Sequence, residues 1–144
     1  MVDMWDFLGH GKPVIIDISA QWCPPCQATA SWVAGGSDPY ELESEFGAVR
    51  AAVDRGDIYW VTLLSQNNSY GPATQETSEQ WDAAYYNPRI PVLAAPNNEL
   101  MDQLGGNGFP NFHTLDSSGI LRHKNGGGST LDFGALTVAL SLVQ

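Results

Sequence analysis

The run Pro13-Val14-Ile15-Ile16-Asp17-Ile18-Ser19-Ala20-Gln21-Trp22-Cys23-Pro24-Pro25-Cys26 decides how the rest of the chain is read. Its first half is β-branched and apolar apart from one acid, which predicts a strand over about 13–19. Its second half places the only two cysteines of the chain three positions apart, at what reads as a helix start. Two thiols so spaced at a helix N-terminus face the same side, close enough to form and break a disulfide. With Cys23 at the N-cap, Pro24 takes the first helical position, where a missing N–H costs nothing. The partial positive charge of the helix start favours a thiolate, so Cys23 is expected to carry a lowered pKa. It is also expected to hold the more exposed sulfur, suited to attack on a substrate disulfide. Cys26, one turn inside, is expected to be more buried and to resolve the mixed disulfide.

Other uses of the pair can be weighed on the same residues. A two-residue spacer closes a tiny loop and removes little unfolded-state entropy, so a purely structural staple makes poor use of it. A zinc site would need a second pair or clustered histidines, and the sequence has neither. A redox centre and a two-thiolate Cu(I) clip both stay open on these residues alone. The two prolines stiffen the loop and so influence its potential. Proteins of this chemistry span roughly −270 to −120 mV, from reductants to oxidants.

At 144 residues the chain is expected to form one domain, 1–144, large enough to bury a core. Apolar residues make up 43% and charged residues 15%, the composition of a soluble globular protein. No apolar run reaches the length of a membrane span. The net charge of −10 argues against nucleic acid as a partner. The six basic residues (Lys12, Arg50, Arg55, Arg89, Arg122 and Lys124) are too scattered to make a phosphate-binding patch. The opening MVDMWDFLGH carries acids and no basic stretch, so it does not read as a signal peptide. A leader or lipid anchor removed from a mature form is compatible with that.

Beyond the cysteines, 27–33 continues as a short helix that Gly35-Gly36 ends. Asp38-Pro39-Tyr40-Glu41 then reads as a fresh helix start, with Asp38 as cap, Pro39 at the first position and Glu41 completing a capping-box spacing. Leu42, Phe46, Val49 and Val53 supply its apolar face up to Gly56. The segment 58–64 (IYWVTLL) predicts a buried strand, and 66–74 a polar loop. A helix over 76–86, with Trp81 and Tyr85 on one face, stops at Asn87-Pro88. A short strand (91–95) and a short helix (98–104) follow. Segments 112–115 and 120–123, joined by Asp116-Ser117-Ser118-Gly119, predict a hairpin. After the glycine run Gly126-Gly127-Gly128, Ser129 is expected to cap a terminal helix carrying Leu131, Ala135, Val138, Ala139 and Leu142. Alternating strands and helices ending in a hairpin and a helix predict an α/β layer fold with a mixed sheet.

Taken together, these residues resemble the thioredoxin superfamily, and within it the extracytoplasmic TlpA-like thiol–disulfide oxidoreductases. Three stretches carry the resemblance: residues 11–17 running into Trp22-Cys23-Pro24-Pro25-Cys26, Asp17 six residues before Cys23, and Gly108-Phe109-Pro110 followed by the hairpin. The resemblance covers about residues 10–142. It implies a thioredoxin-like fold, a central mixed sheet flanked by helices. Cys26 and Pro110 lie 84 positions apart, so an extra strand–helix unit is expected between the CxxC helix and the cis-proline. It also implies roles. Cys23 is the nucleophile and Cys26 the resolving thiol, with Asp17 as the proton acceptor that helps deprotonate Cys26. Pro110 is a cis-proline packed against the disulfide, and the backbone of Phe109 pairs with the substrate chain. Beside these, Trp22, Pro24 and Pro25 are read as substrate-facing, with core filling the alternative for Trp22. Asn111 directly after Pro110 departs from the family pattern.

The expected activity is thiol–disulfide exchange with protein cysteines, with no cofactor beyond the Cys23–Cys26 disulfide and no metal. Partners are protein thiol or disulfide substrates and an upstream electron donor, with no nucleic acid, no membrane span and a monomeric chain. A periplasmic or secreted setting is expected, a cytoplasmic one being the alternative. Two other functions compete. A peroxiredoxin-like peroxidase fits the extra unit, but that family carries Thr three residues before its reactive Cys, where this chain has Ala20. A Cu(I) metallochaperone fits the two thiols, but copper carriers of this fold usually add a histidine ligand and a wider cysteine spacing. No ligand spacing links His10, His113 and His123, which read as surface or strand residues. Trp81, Tyr85 and Tyr86 read as helix-face packing.

Overall fold

The computed structural model describes residues 2–125 and 131–144. The glycine run 126–128 and the expected cap Ser129 lie outside the described residues.

Five strands form one mixed sheet: β1 (Val14–Ala20), β2 (Tyr59–Gln66), β3 (Val92–Ala94), β4 (Asn111–Leu115) and β5 (Leu121–Lys124), in the order β3-β2-β1-β4-β5. β1 pairs in parallel with β2, and β2 with β3. β4 runs antiparallel to both β1 and β5. The apolar run that begins at Val14, interrupted by Asp17, explains the central position of β1. All seven of its residues are buried, as a strand covered on both faces requires.

The helices are α1 (Pro24–Val33), α2 (Leu42–Arg55), α3 (Gln75–Ala84), α4 (Glu99–Leu104) and α5 (Gly134–Ser141). On one sheet face Ile15, Trp60 and Phe112 pack with Trp32 and Val33 of α1, Phe46 and Val49 of α2, and Leu136 of α5. On the other, Ile16, Ile18, Val61 and Leu63 pack with Met101 of α4 and with Phe7 and Leu8. Between α1 and Pro110 the chain lays down two helix–strand units, α2–β2 and α3–β3, and then α4. That interval therefore holds more than one strand, as expected, and β3 takes one sheet edge.

Three boundaries differ from the sequence expectation. Residues 38–41 form a turn, with the Glu41 N–H donating to the Asp38 carbonyl at 3.2 Å, and α2 begins at Leu42. Glu41 sits in the left-handed region (φ 56°) and makes no side-chain cap. Asp38 still caps, but across the turn: its two carboxylate oxygens accept from the Leu42 and Glu43 N–H groups, each at 2.8 Å. Pro39 serves that turn and is not a first helical residue. One carboxylate meeting two orphan amides displaces the capping box. Asp38→Ala is expected to lower stability by about 1 kcal/mol, which a thermal melt reads as a fall of about 2–4 °C in Tm.

The last helix starts at Gly134, so Leu131 lies outside it and is exposed. Asp132 holds that start by accepting from the Gly134 N–H and by pairing with His123. Tyr86 lies past the end of α3 and is exposed, so it does not pack on the helix face, whereas Trp81 and Tyr85 do meet, at 4.9 Å between rings. A 3-10 helix, Met4–Phe7, which the sequence reading left unassigned, opens the chain on an Asp3/Asp6 capping box.

Candidate active site

β1 delivers the chain directly into the cysteine motif. The Cys23 N–H donates back to the Ala20 carbonyl at 3.1 Å, closing the turn between strand and helix. Cys23 is the N-cap of α1 in an extended conformation, with Pro24 and Pro25 filling the first two helical positions. Its sulfur accepts the Cys26 N–H at 3.3 Å, one of the orphan amides of the helix start. Cys23 and Cys26 are joined by a disulfide, with Cα atoms 5.3 Å apart.

The expected contrast in exposure is absent. Cys23 is 2% and Cys26 1% exposed. The closed disulfide packs in an apolar cluster with Ala20, Ala30, Leu64, Ala73 and Trp81, rimmed by Trp22 and Phe109. With the Cys23 sulfur turned onto its own helix start, neither sulfur stands proud of the surface. Pro24 is exposed and Pro25 half-buried.

Asp17 lies on β1, on the same face as Ile15, in the layer that α1 covers. Its carboxylate accepts three side-chain bonds. The Ser19 hydroxyl donates at 2.6 Å, the Thr62 hydroxyl at 3.3 Å and the Trp60 indole N–H at 3.4 Å. Burial pushes the Asp17 carboxyl up to about 6, against the lowering effect of those three donors. Desolvation outweighs them, and among the described residues no positive charge acts on the group to offset it.

The distant motif also arrives at this site. The Phe109–Pro110 peptide bond is cis, and Gly108 before it takes φ 102°. Pro110 is buried, and the Phe109 ring meets Trp22 edge-on at 6.1 Å. Asn111, next along β4, is buried with its Oδ1 against Nε2 of His113. Nδ1 of His113 accepts the Asn125 N–H at 3.3 Å, so Nε2 carries the proton and donates to Asn111. Burial pushes His113 down to about 4. It is a buried neutral strand histidine.

Sequence reasoning missed the three donors that hold Asp17. Their signal was the period-2 alternation of strands, which puts Ser19 beside Asp17 and aligns Trp60 with Thr62 on one face of β2. Sequence reasoning read 66–74 as a polar loop but did not foresee that the loop lies at the rim of the site. There Tyr70 lies 4.9 Å from Trp22, ring to ring, and the Trp22 indole N–H donates to Gln66 Oε1 at 2.8 Å. Among the described residues no group of three or more His, Cys, Asp or Glu is arranged to hold a metal ion, and no helix is long and apolar enough to cross a membrane.

No family model and no curated protein matches the chain. Solved structures do. A thioredoxin-like protein from Aeropyrum pernix aligns with 98% of this chain and 83% of its own, at TM-score 0.64 and 18% identity. An exposed lipoprotein thioredoxin of Streptococcus pneumoniae aligns with 92% of this chain and 86% of its own, at TM-score 0.59 and 23% identity. A secreted disulfide oxidoreductase of Mycobacterium tuberculosis, described as homologous to E. coli DsbE, covers 92% and 83% at TM-score 0.58 and 16% identity. At these identities the likeness speaks for the fold, and the fold is thioredoxin-like.

Proposed function

We propose that the chain, as one domain, is a thiol–disulfide oxidoreductase of the TlpA-like kind, exchanging disulfides with protein cysteines through Cys23 and Cys26. The observation that carries this reading is the Cys23–Cys26 disulfide capping α1, with the Phe109–Pro110 loop brought across to its Trp22 rim.

In the reducing direction the Cys23 thiolate attacks one sulfur of a substrate disulfide. The Cys23–substrate S–S bond forms, the substrate S–S bond breaks, and the departing substrate sulfur takes up a proton. Cys26 then gives its proton to the Asp17 carboxylate and attacks the Cys23 sulfur. The Cys23–substrate S–S bond breaks, the Cys23–Cys26 disulfide closes, and the second substrate sulfur leaves as a thiolate that takes up the proton held by Asp17. Two electrons have passed from the dithiol to the substrate, and an upstream dithiol donor restores the reduced form. Run backwards, the same steps oxidise a substrate dithiol.

Asp17 suits its part because its pKa of about 6 lies close to neutrality, where a general base works best. The Phe109 backbone beside Pro110 pairs with the substrate chain, and Trp22, Pro24 and Pro25 present the approach to the sulfurs. The disulfide is the only redox group required. The names of the structural neighbours, one secreted and one an exposed lipoprotein, support an extracytoplasmic setting, and the enzyme is taken to act as a monomer.

The test is insulin reduction with dithiothreitol as donor. Precipitation of the insulin B chain is expected well above the rate with dithiothreitol alone, and a rate equal to that blank would sink the proposal. Equilibration against a glutathione series then gives the direction of electron flow.

A further inference from the structure

The loop between β2 and α3 is a built feature of the active-site rim. Asn67 organises it: its Oδ1 accepts from the Ser69 and Gly71 N–H groups at 2.9 and 3.0 Å, and its own N–H donates to the Gly71 carbonyl at 2.9 Å. A bridge between Gln66 and Pro72 closes the base, and Gln21 Oε1 holds the Asn68 N–H at 3.0 Å. The product of this scaffold is the placement of Tyr70. It is held in the left-handed region at φ 63°, where a tyrosine costs energy, yet its side chain is 68% exposed. One side of the ring leans on Trp22 at 4.9 Å and 36°, and Trp22 in turn borders the disulfide cluster. An exposed ring at a strained backbone position stabilises nothing in the core.

The side chains hydrogen-bonded onto this rim are neutral or acidic, beginning with Gln66, which accepts the Trp22 indole N–H. Gln21 Nε2 donates to Gln80 Oε1 at 3.0 Å, and Gln80 Nε2 donates to the Glu76 carboxylate at 3.2 Å. That chain of side chains ends in a negative charge and includes no base, on a protein of net charge −10. Electron-rich ring faces in a negative field favour a cation.

We propose that Tyr70 and Trp22 form a docking surface for polypeptide substrates that carry an arginine or lysine close to the reacting cysteine. This rests on the oxidoreductase reading above and gives it a substrate class. The cationic head lies on the Tyr70 face while the cysteine reaches Cys23. A carboxylate at the same substrate position meets the electron-rich rings and the protein's negative field unfavourably.

The test uses three disulfide-linked peptides that differ only two residues from the cysteine, with Arg, Ala or Glu there. The reduced full-length protein reacts with each at low and high salt. In the parent protein kcat/KM for the Arg peptide is expected to exceed that for the Glu peptide by about tenfold. Tyr70→Phe should keep the ratio. Tyr70→Asn removes the ring while tolerating the left-handed backbone, and should cut the ratio to about twofold, the share left to long-range charge. That residual part fades with salt, whereas the ring-dependent part persists. A ratio near one in the parent, or a ratio unchanged in Tyr70→Asn, overturns the proposal. Because the readout is a ratio within each variant, a general loss of rate does not move it. Reduction of 2-hydroxyethyl disulfide, which has no side chain to dock, separates the two levels. If that reaction does not depend on Cys23, the oxidoreductase reading itself has failed. If it does while the peptide ratio is flat, only the docking surface has.

Discussion

Cys23→Ser is expected to return insulin reduction to the dithiothreitol blank, a loss of about 10³-fold or more, the order seen when a covalent nucleophile is removed. The serine hydroxyl cannot be ionised by a helix start as a thiol can, so Cys26 is left alone, one turn in and 1% exposed. Cys26→Ser should behave differently. Cys23 still attacks, but nothing resolves the product, and the protein accumulates as a mixed disulfide with its substrate. Intact-mass spectrometry without reductant should find the substrate mass added to Cys26→Ser and to no other variant, and dithiothreitol should remove it. An adduct on Cys23→Ser in place of Cys26→Ser would reverse the assignment of nucleophile and resolving thiol. Neither substitution should unfold the chain, because a loop closed over two intervening residues contributes little to stability.

The features legible in the sequence were those whose physics is local. The β-branched residues of 14–18 favour a covered strand, and Cys23-Pro24-Pro25 favours the start of a helix. From these β1 and α1 follow, as does the site at their junction. The hairpin was legible because Asp116 and Gly119 are turn residues at turn spacing; Asp116 accepts from the Ser118 and Ile120 N–H groups, and Gly119 takes φ 80°. What escaped was decided between segments distant in sequence. Trp60 and Thr62 meet Asp17 only because β2 lies beside β1 with Asp17 opposite Thr62. Tyr70 reaches Trp22 only because Asn67 folds its loop back on itself. The start of α2 was misread for a related reason: Asp38 can serve as a cap from two geometries, and the turn through Pro39 selects the longer reach. The equal burial of the two cysteines goes with packing from distant segments, Leu64 of β2, Ala73, Trp81 of α3 and Phe109, which no local pattern around the CxxC reveals.

Asp17→Asn is expected to raise stability and lower activity together. In the unfolded chain Asp17 ionises near 3.8, whereas in the fold burial holds its proton to about 6. Between those values the folded state binds more protons than the unfolded, so this group's contribution falls as pH rises. Above about 6 both states are ionised and the full cost of about 3 kcal/mol remains. An amide carries no such cost and can still accept from Trp60 and Thr62. Urea melts of the oxidised protein should therefore show Asp17→Asn more stable by about 1–3 kcal/mol at pH 7 and equal to the parent near pH 3.5. His113 acts in the opposite sense. It is neutral in the fold down to about 4 and protonates near 6.5 when unfolded, so its contribution is lost as pH falls across that range. The two slopes oppose each other between pH 4 and 6 in the parent, which should show a nearly flat stability profile there. In Asp17→Asn the histidine slope is uncovered, and stability should climb with pH over the same interval. Turnover moves the other way, because Cys26 has lost the acceptor for its proton. A fall of about 10²-fold at pH 7 is expected, along with loss of the inflection near pH 6 in the rate profile. A variant that is both more stable and fully active would leave Asp17 as a buried acid with no part in the chemistry.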